Sequence, residues 1–251
     1  MTSAAPQPVV HSDSGFMARA CAARLVTAVA DAQSARGTAT VVLTGGRNGN
    51  ALLAALADTP ARDTVDWSRL DLWWGDERFL PGGDPERNQS QAREALLDAV
   101  ALDPARVHPM PASDGPYGPD ADAAAAAYAA ELAAAAPPDH PGVPRFDVVL
   151  LGVGPDTHVA SLFPGHPAAA ETGRTVVGVH NAPKPPPTRI SLTFRAIRAA
   201  REVWLLAAGE DKAEAAAAAL SDAAGTDIPA TRARGTERTL LLLDEAAASR
   251  L

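Results

Sequence analysis

The sequence predicts an α/β protein: a mostly parallel sheet with helices on both faces, in a single domain. Three observations lead there. Short runs rich in Val, Ile and Leu recur along the chain, and segments with helical spacing of apolar residues separate many of them; that alternation gives parallel sheets. The run at 148–151 is apolar at every position, with Phe146 just before it, as expected of a strand covered on both faces. No repeat and no long linker divides the chain, so its 251 residues read as one unit, 1–251 with a core at about 9–245.

Taken in order, Phe16, Ala20, Ala23, Val26 and Val29 or Ala30 mark a first helix over about 14–35. Thr40-Val41-Val42-Leu43-Thr44 is a strand, followed by Gly45-Gly46-Arg47-Asn48-Gly49 and a helix through Leu52, Leu53 and Leu56. Leu70-Asp71-Leu72-Trp73-Trp74 is the next strand and ends at Gly75-Asp76-Glu77-Arg78. A helix is expected over 89–100, a short strand over 107–110, a loop over 111–119 and a helix over 120–136. The alanine run in that last helix reflects a bias toward a good helix former. The proline-rich stretch 137–144 connects it to the strand from Phe146. Segments 175–179 and 189–193 are strand candidates, and Lys184-Pro185-Pro186-Pro187 between them cannot belong to a central strand. A strand over 202–207, a helix over 210–220 and a strand over 239–243 complete the pattern.

Bulk properties narrow the function. Apolar residues make up 47 % of the chain, enough for a real core. Basic residues number 22 against 30 acidic ones, a net charge of −8. That excludes a general nucleic-acid binder, which carries a basic face, but leaves room for a small anionic substrate held by a local basic cluster. Cys21 is the one cysteine, so neither an intrachain disulfide nor a cysteine zinc site forms, and a reducing, cytoplasmic setting is the default. Residues 1–14 lack the basic start and apolar run of a signal peptide. No stretch approaches the roughly 20 apolar residues of a membrane helix.

The chemistry-bearing residues collect after the strands. Gly152-Val153-Gly154-Pro155-Asp156-Thr157-His158 turns the chain tightly beyond an apolar strand and delivers an acid and an imidazole two residues apart. In open α/β sheets, ligands bind beyond the carboxyl ends of the strands. On spacing alone, Asp156 serves equally well as a helix cap and His158 as a surface residue. The turn is no dinucleotide fingerprint, because Thr157 stands where the third glycine belongs. Ser161, in Val-Ala-Ser-Leu-Phe, is no nucleophile elbow. Gly45, Gly46 and Arg47 open onto a helix, where backbone N–H groups favour an anion, without the lysine of a P-loop. Asp76, Glu77 and Arg78 combine two carboxylates with an arginine suited to a sugar and its phosphate. Lys184 and Arg189 add a point charge and a fork that suit phosphate. Each of these groups also reads as a solvated or packing turn when taken alone; one cleft beyond the strand ends would hold them together.

The order Thr-Gly-Gly-Arg, Trp-Gly-Asp-Glu-Arg, Gly-Val-Gly-Pro-Asp-Thr-His-Val-Ala-Ser-Leu-Phe-Pro and Pro-Pro-Thr-Arg-Ile-Ser-Leu-Thr resembles the 6-phosphogluconolactonases, which group with glucosamine-6-phosphate deaminases and isomerases. The resemblance spans about 9–245. It implies a Rossmann-like α/β fold, no cofactor, and hydrolysis of 6-phospho-D-glucono-1,5-lactone in the oxidative pentose phosphate pathway. It places His158 as the catalytic histidine, Asp156 as the preceding acid, and Arg78, Lys184 and Arg189 at or near the substrate phosphate. Gly45, Gly46 and Arg47 match its first glycine loop. Three positions depart from the pattern: Thr157 replaces a glycine, Arg47-Asn48-Gly49 replaces a Ser-Thr-Pro type of continuation, and Asn88-Gln89 replaces Asn-Tyr. A β-branched residue tolerates positive φ poorly, so the first departure bears on the catalytic turn.

The chemistry this implies needs a base to take a proton from water, for which a neutral imidazole suffices. It needs no metal and no nucleophilic side chain. A deaminase or isomerase on the same fold is the alternative, although such enzymes end the histidine motif as Ala-Phe-Asn-Glu-Pro where this chain has Ala-Ser-Leu-Phe-Pro. A non-catalytic sugar-phosphate sensor is another; it would keep Arg78 and Arg189 and have no need of His158. Oligomeric state is not legible.

Overall fold

The computed structural model describes residues 5–140, 142–221 and 227–251. Pro141, inside the expected proline-rich connection, and residues 1–4 of the segment read for a leader lie outside the described residues.

The first strand, β1 (Pro6–His11), leads into α1 (Ser14–Arg36). Asp13 caps α1 by accepting from Phe16 N at 2.6 Å, and Gly37 ends it at φ 80°, the cap geometry that glycine adopts without a Cβ penalty. Met17, Cys21, Leu25 and Val29 form its buried stripe. β2 (Ala39–Leu43), α2 (Gly46–Asp58), β3 (Leu70–Trp74) and the short β4 (Asp76–Arg78) follow. Next come α3 (Asn88–Ala95), α4 (Ala121–Ala134), β5 (Val148–Gly152), the one-turn α5 (Pro167–Ala170), β6 (Val176–Val179), β7 (Arg189–Leu192) and the one-turn α6 (Phe194–Ile197). β8 (Glu202–Ala207), α7 (Ala213–Leu220), α8 (Pro229–Arg232) and β9 (Arg238–Asp244) close the chain.

Six strands form a parallel sheet in the order β1-β9-β8-β5-β2-β3. All five strands expected to be parallel are in it. β5 is buried at each position through Leu151; because successive side chains alternate faces, both faces of the sheet centre are covered. α1 packs along α2, β9 and β2. Beyond the first sheet lies an antiparallel one in the order β4-β7-β6, against which α4 packs. No helix among the described residues is long and apolar enough to cross a membrane.

Several expectations are corrected. Segments 175–179 and 189–193 are strands, but of the second sheet. Asp76-Glu77-Arg78 is a strand rather than a turn, recruited by pairing with β7. The helix expected over 89–100 breaks at Leu96, whose ψ of −48° comes with a φ of −153°, and resumes as a 3-10 turn at Leu97–Ala99. Segment 107–110 contributes only an isolated bridge from Val107 to Leu72. The helix over 210–220 starts as a 3-10 turn at Glu210–Lys212. β1 was not foreseen: its prolines suit only an edge strand, and the edge is where it lies.

The topology fixes where a ligand goes. From β2 the chain passes outward to β3, whereas β5, β8 and β9 build the sheet in the opposite direction. The connections therefore diverge between β2 and β5, and their carboxyl ends flank the crevice of a topological switch point.

Candidate active site

A cleft of about 350 Å³ opens at that switch point. Its walls are the segments after β2 (Thr44 to Asn48), β5 (Gly152 to Pro155, with His158 and Ala160) and β8 (Asp211, Lys212), together with Asp76 and Arg78 of β4, Asn88, Lys184 and Arg189. Loops beyond three parallel strands meet the second sheet and the start of α3 here, gathering residues from positions 44 to 212.

The turn after β5 sets the acid–imidazole pair. Gly154 N donates to His158 O at 2.9 Å and Thr157 N to Gly154 O at 2.9 Å. Thr157 takes φ 70°, so this chain keeps the left-handed turn with a β-branched residue, and Ala230 N at the start of α8 binds its carbonyl at 3.0 Å. His158 Nδ1 lies 2.5 Å from Asp156 Oδ1. Burial raises the Asp156 pKa, but the bonds and charges of His158 and Lys184 outweigh it and hold the carboxyl at about 2. An ionised carboxylate only accepts, so Nδ1 carries the proton and Nε2 is left with its lone pair. Burial pushes the imidazole pKa below the ordinary histidine value; Asp156 opposes this and Lys184 adds to it. The ring leans on Phe163 with 4.6 Å between centroids, and its side chain is 17 % exposed. The arrangement is a neutral, oriented, partly dry base.

A cationic wall faces this pair. Cross-strand register sets Arg78 of β4 directly opposite Arg189 of β7. Like charges opposed across two strands destabilise the pairing, and a dianion placed between them removes that cost. Arg189 is nearly buried. Its Nε and Nη2 bond the carbonyls of Pro186 at 3.0 Å, Pro185 at 2.8 Å and Lys184 at 3.2 Å, and its guanidinium lies 5.7 Å over Phe163. Burial lowers its pKa, Asp76 opposes and the charge of Arg78 adds. On the other side, Gly45 precedes α2 and gives it no side-chain cap, which leaves the first helical N–H groups available to an anion. Arg47 Nη2 bonds Ala208 O at 3.0 Å and stands 3.5 Å from Asp211.

Asp76 and Asn88 knit the walls together. Asp76 Oδ2 accepts from Ser161 Oγ at 2.6 Å, and Asn88 Nδ2 donates to Asp76 O at 2.8 Å. Ser161 is thus a buried donor, consistent with its failed nucleophile motif. Asn88 Oδ1 is buried with no hydrogen-bond partner among the described residues. A Cβ on Gly45 would lie 1.8 Å from it, so any other residue here would force the Asn88 side chain to move.

One candidate is corrected. Glu77 does not line the cleft: it is fully buried. Its carboxylate accepts from Arg78 N at 2.8 Å, Asn88 N at 2.7 Å and Gln89 N at 2.9 Å. In a three-residue strand, neighbouring side chains point to opposite sides, so Asp76 and Arg78 face the cleft and Glu77 faces the core. Gly45, Gly46, Arg47, Asp76, Arg78, Lys184 and Arg189 all line it, with Asp156 behind His158. Lys212 was missed, although its place just beyond the expected strand 202–207 was a legible signal. Burial lowers the Lys212 pKa, Asp211 opposes, and Lys184 and Arg47 add to the lowering.

An α/β sheet with an oriented histidine at its switch point, facing arginines and the first N–H groups of a helix, is chemically suited to a general base acting on a small anionic ligand. Comparison with known proteins narrows this. The chain belongs to the family described as glucosamine-6-phosphate isomerases/6-phosphogluconolactonase, whose model matches residues 12–242. It is 72 % identical to the 6-phosphogluconolactonase of Streptomyces coelicolor, over 98 % of this chain and 95 % of that one. It is 51 % identical to that of Mycobacterium tuberculosis, over 96 % and 97 %. The structure of 6-phosphogluconolactonase from Trypanosoma brucei superposes with a TM-score of 0.87 at 31 % identity, covering all of both chains.

Proposed function

We propose that this chain hydrolyses 6-phospho-D-glucono-1,5-lactone to 6-phospho-D-gluconate, in the oxidative branch of the pentose phosphate pathway and in the cytoplasm. One observation carries the mechanism: the Nε2 of His158, without a hydrogen-bond partner among the described residues, shares a cleft with the Arg78–Arg189 pair and the start of α2. A base and an anion site are thereby held a fixed distance apart.

A lactone is an activated ester. His158 Nε2 takes a proton from water as the water oxygen bonds to C1, and the carbonyl oxygen becomes an oxyanion in a cleft of positive potential. Asp156 stabilises the imidazolium that forms. Collapse of the intermediate breaks the bond from C1 to the ring oxygen, which takes the proton back from His158. The product is the open-chain acid, which then ionises. Arg78, Arg189, Arg47, Lys212 and the N–H groups of α2 hold the phosphate and fix C1 near the base, an advantage of positioning.

The test is release of 6-phosphogluconate from freshly made lactone by the purified chain, with the spontaneous rate subtracted. Turnover well above background is expected. Ammonia release from glucosamine-6-phosphate without lactone hydrolysis would assign the chain to the isomerase branch, and tight binding of lactone without turnover would make it a sensor.

A further inference from the structure

Lys184 stands apart from the other cations of the cleft. Its Nζ lies 3.0 Å from Asp156 Oδ1 and 3.3 Å from His158 Nδ1, and it has no other hydrogen-bond partner among the described residues. Arg78 and Arg189 oppose each other across two strands, whereas Lys184, also at the cleft wall, reaches the Nδ1 side of the imidazole. The loop that carries it is built for this. Ala182 N closes it onto Pro187 O at 2.9 Å, and Arg189 clasps three successive carbonyls, of Lys184, Pro185 and Pro186. These bonds fix the backbone from which the Lys184 side chain reaches Asp156.

Asp156 Oδ1 accepts a hydrogen bond from His158 Nδ1 and another from the Lys184 ammonium, and the 3.3 Å approach of Nζ to Nδ1 follows from sharing one acceptor. We infer that Lys184 is a positioning residue of the His158–Asp156 pair and not an anchor for the substrate phosphate. It pins the carboxylate so that Asp156 cannot rotate away from the ring. It also places a positive charge beside the imidazole, which adds to the lowering of the ring's pKa by burial. The charged groups facing His158 are Asp156 from its own turn, Lys184 from the loop between β6 and β7, and Asp76 from β4. Lys212, beyond β8, lies near enough to interact with Lys184 and Asp156. Among the described residues, Lys184 is the cation within hydrogen-bond reach of the ring nitrogen, while Arg78 and Arg189 form the wall that faces it. This inference rests on the lactonase reading for its kinetics, but not for its geometry.

The test uses Lys184→Met, which keeps the stem and removes the charge, and Lys184→Arg, which keeps a donor. Its side chain is 39 % exposed, so neither change disrupts a core. Each variant is assayed with 6-phosphogluconolactone and with unphosphorylated glucono-1,5-lactone. Lys184→Met is expected to lower kcat about ten- to a hundredfold, short of the ~10²–10⁴ of the base itself. The factor should be similar for both lactones, with KM for the phosphorylated one little changed. The acid limb of kcat/KM should move to higher pH, and Lys184→Arg should recover much of the loss. A rise in KM confined to the phosphorylated lactone would make Lys184 a phosphate anchor and overturn the inference; so would unchanged kinetics on both. A turnover-free readout separates this from the substrate assignment. Titration of the His158 ring by NMR should show its pKa raised in Lys184→Met even if neither lactone is hydrolysed, and an unmoved titration would refute the positioning role.

Discussion

A single methyl group at position 154 would displace the acid–imidazole pair. A Cβ there would lie 2.0 Å from His158 Nδ1 and 2.5 Å from Asp156 Oδ1. The glycine that the sequence marked as a tight turn is thus the seat on which the ring rests. Burial sets the resting state of that ring: with its pKa below the ordinary ~6.5, His158 stays neutral to lower pH than a free imidazole. A base is lost as it protonates, so kcat/KM should fall on the acid side with its midpoint below ~6.5; a midpoint above that value contradicts the burial argument. Arg189 has two tasks, facing Arg78 and holding the loop that carries Lys184. Arg189→Ala should raise KM for the phosphorylated lactone roughly ten- to a hundredfold, the worth of a charge-assisted bond of about 1.5–3 kcal/mol, and should also lower kcat because the loop is released. Arg189→Lys should not restore it, since a point charge cannot reach three carbonyls at once; steady-state kinetics on both lactones checks this. Asp156 and His158 were legible as residues because both follow a glycine turn beyond an apolar strand. The burial of Glu77 was not, because it depends on a three-residue strand that pairs with a segment more than a hundred positions away.

Elements explain what Glu77 does instead. α3 starts after Arg87 with no side-chain cap of its own, and the Glu77 carboxylate supplies one by accepting from Asn88 N and Gln89 N. It also fixes Arg78 N, tying β4 to α3 and so Arg78 to Asn88. Arg87 stands 3.7 Å away in the same buried pocket. Glu77→Gln replaces one acceptor oxygen with an amide donor that meets backbone N–H groups. It should cost about 1–3 kcal/mol of stability, read as a lower urea midpoint at unchanged slope; an unchanged midpoint contradicts the capping role. Elements with a full local signal were legible: α1 from its apolar spacing and β5 from its unbroken apolar run. β1 was hidden by its prolines, and the second sheet by the fact that a run of β-branched residues does not state which sheet it joins. The Thr157 departure changes little at this scale, because the bond from Ala230 N to its carbonyl helps hold the turn that a glycine would take unaided.

On the scale of the whole molecule, a chain of net charge −8 presents a cationic cleft to an anionic ligand. The local field decides capture, since clefts with low-dielectric walls focus it, and salt screens it within about 10 Å at 0.1 M. Raising ionic strength should therefore lower kcat/KM for the phosphorylated lactone and leave the unphosphorylated one nearly unchanged; a rate that rises with salt would show that overall repulsion dominates. The parallel order of the sheet was legible only as a class. The switch point between β2 and β5, which places the cleft, follows from strand order, and strand order is not written in any one segment. The most direct test of the mechanism is single-turnover hydrolysis of fresh 6-phosphogluconolactone by His158→Ala beside the wild type, corrected for the uncatalysed reaction. The rate should drop about 10²–10⁴-fold with substrate binding retained; a folded His158→Ala protein that hydrolyses at the wild-type rate would contradict it.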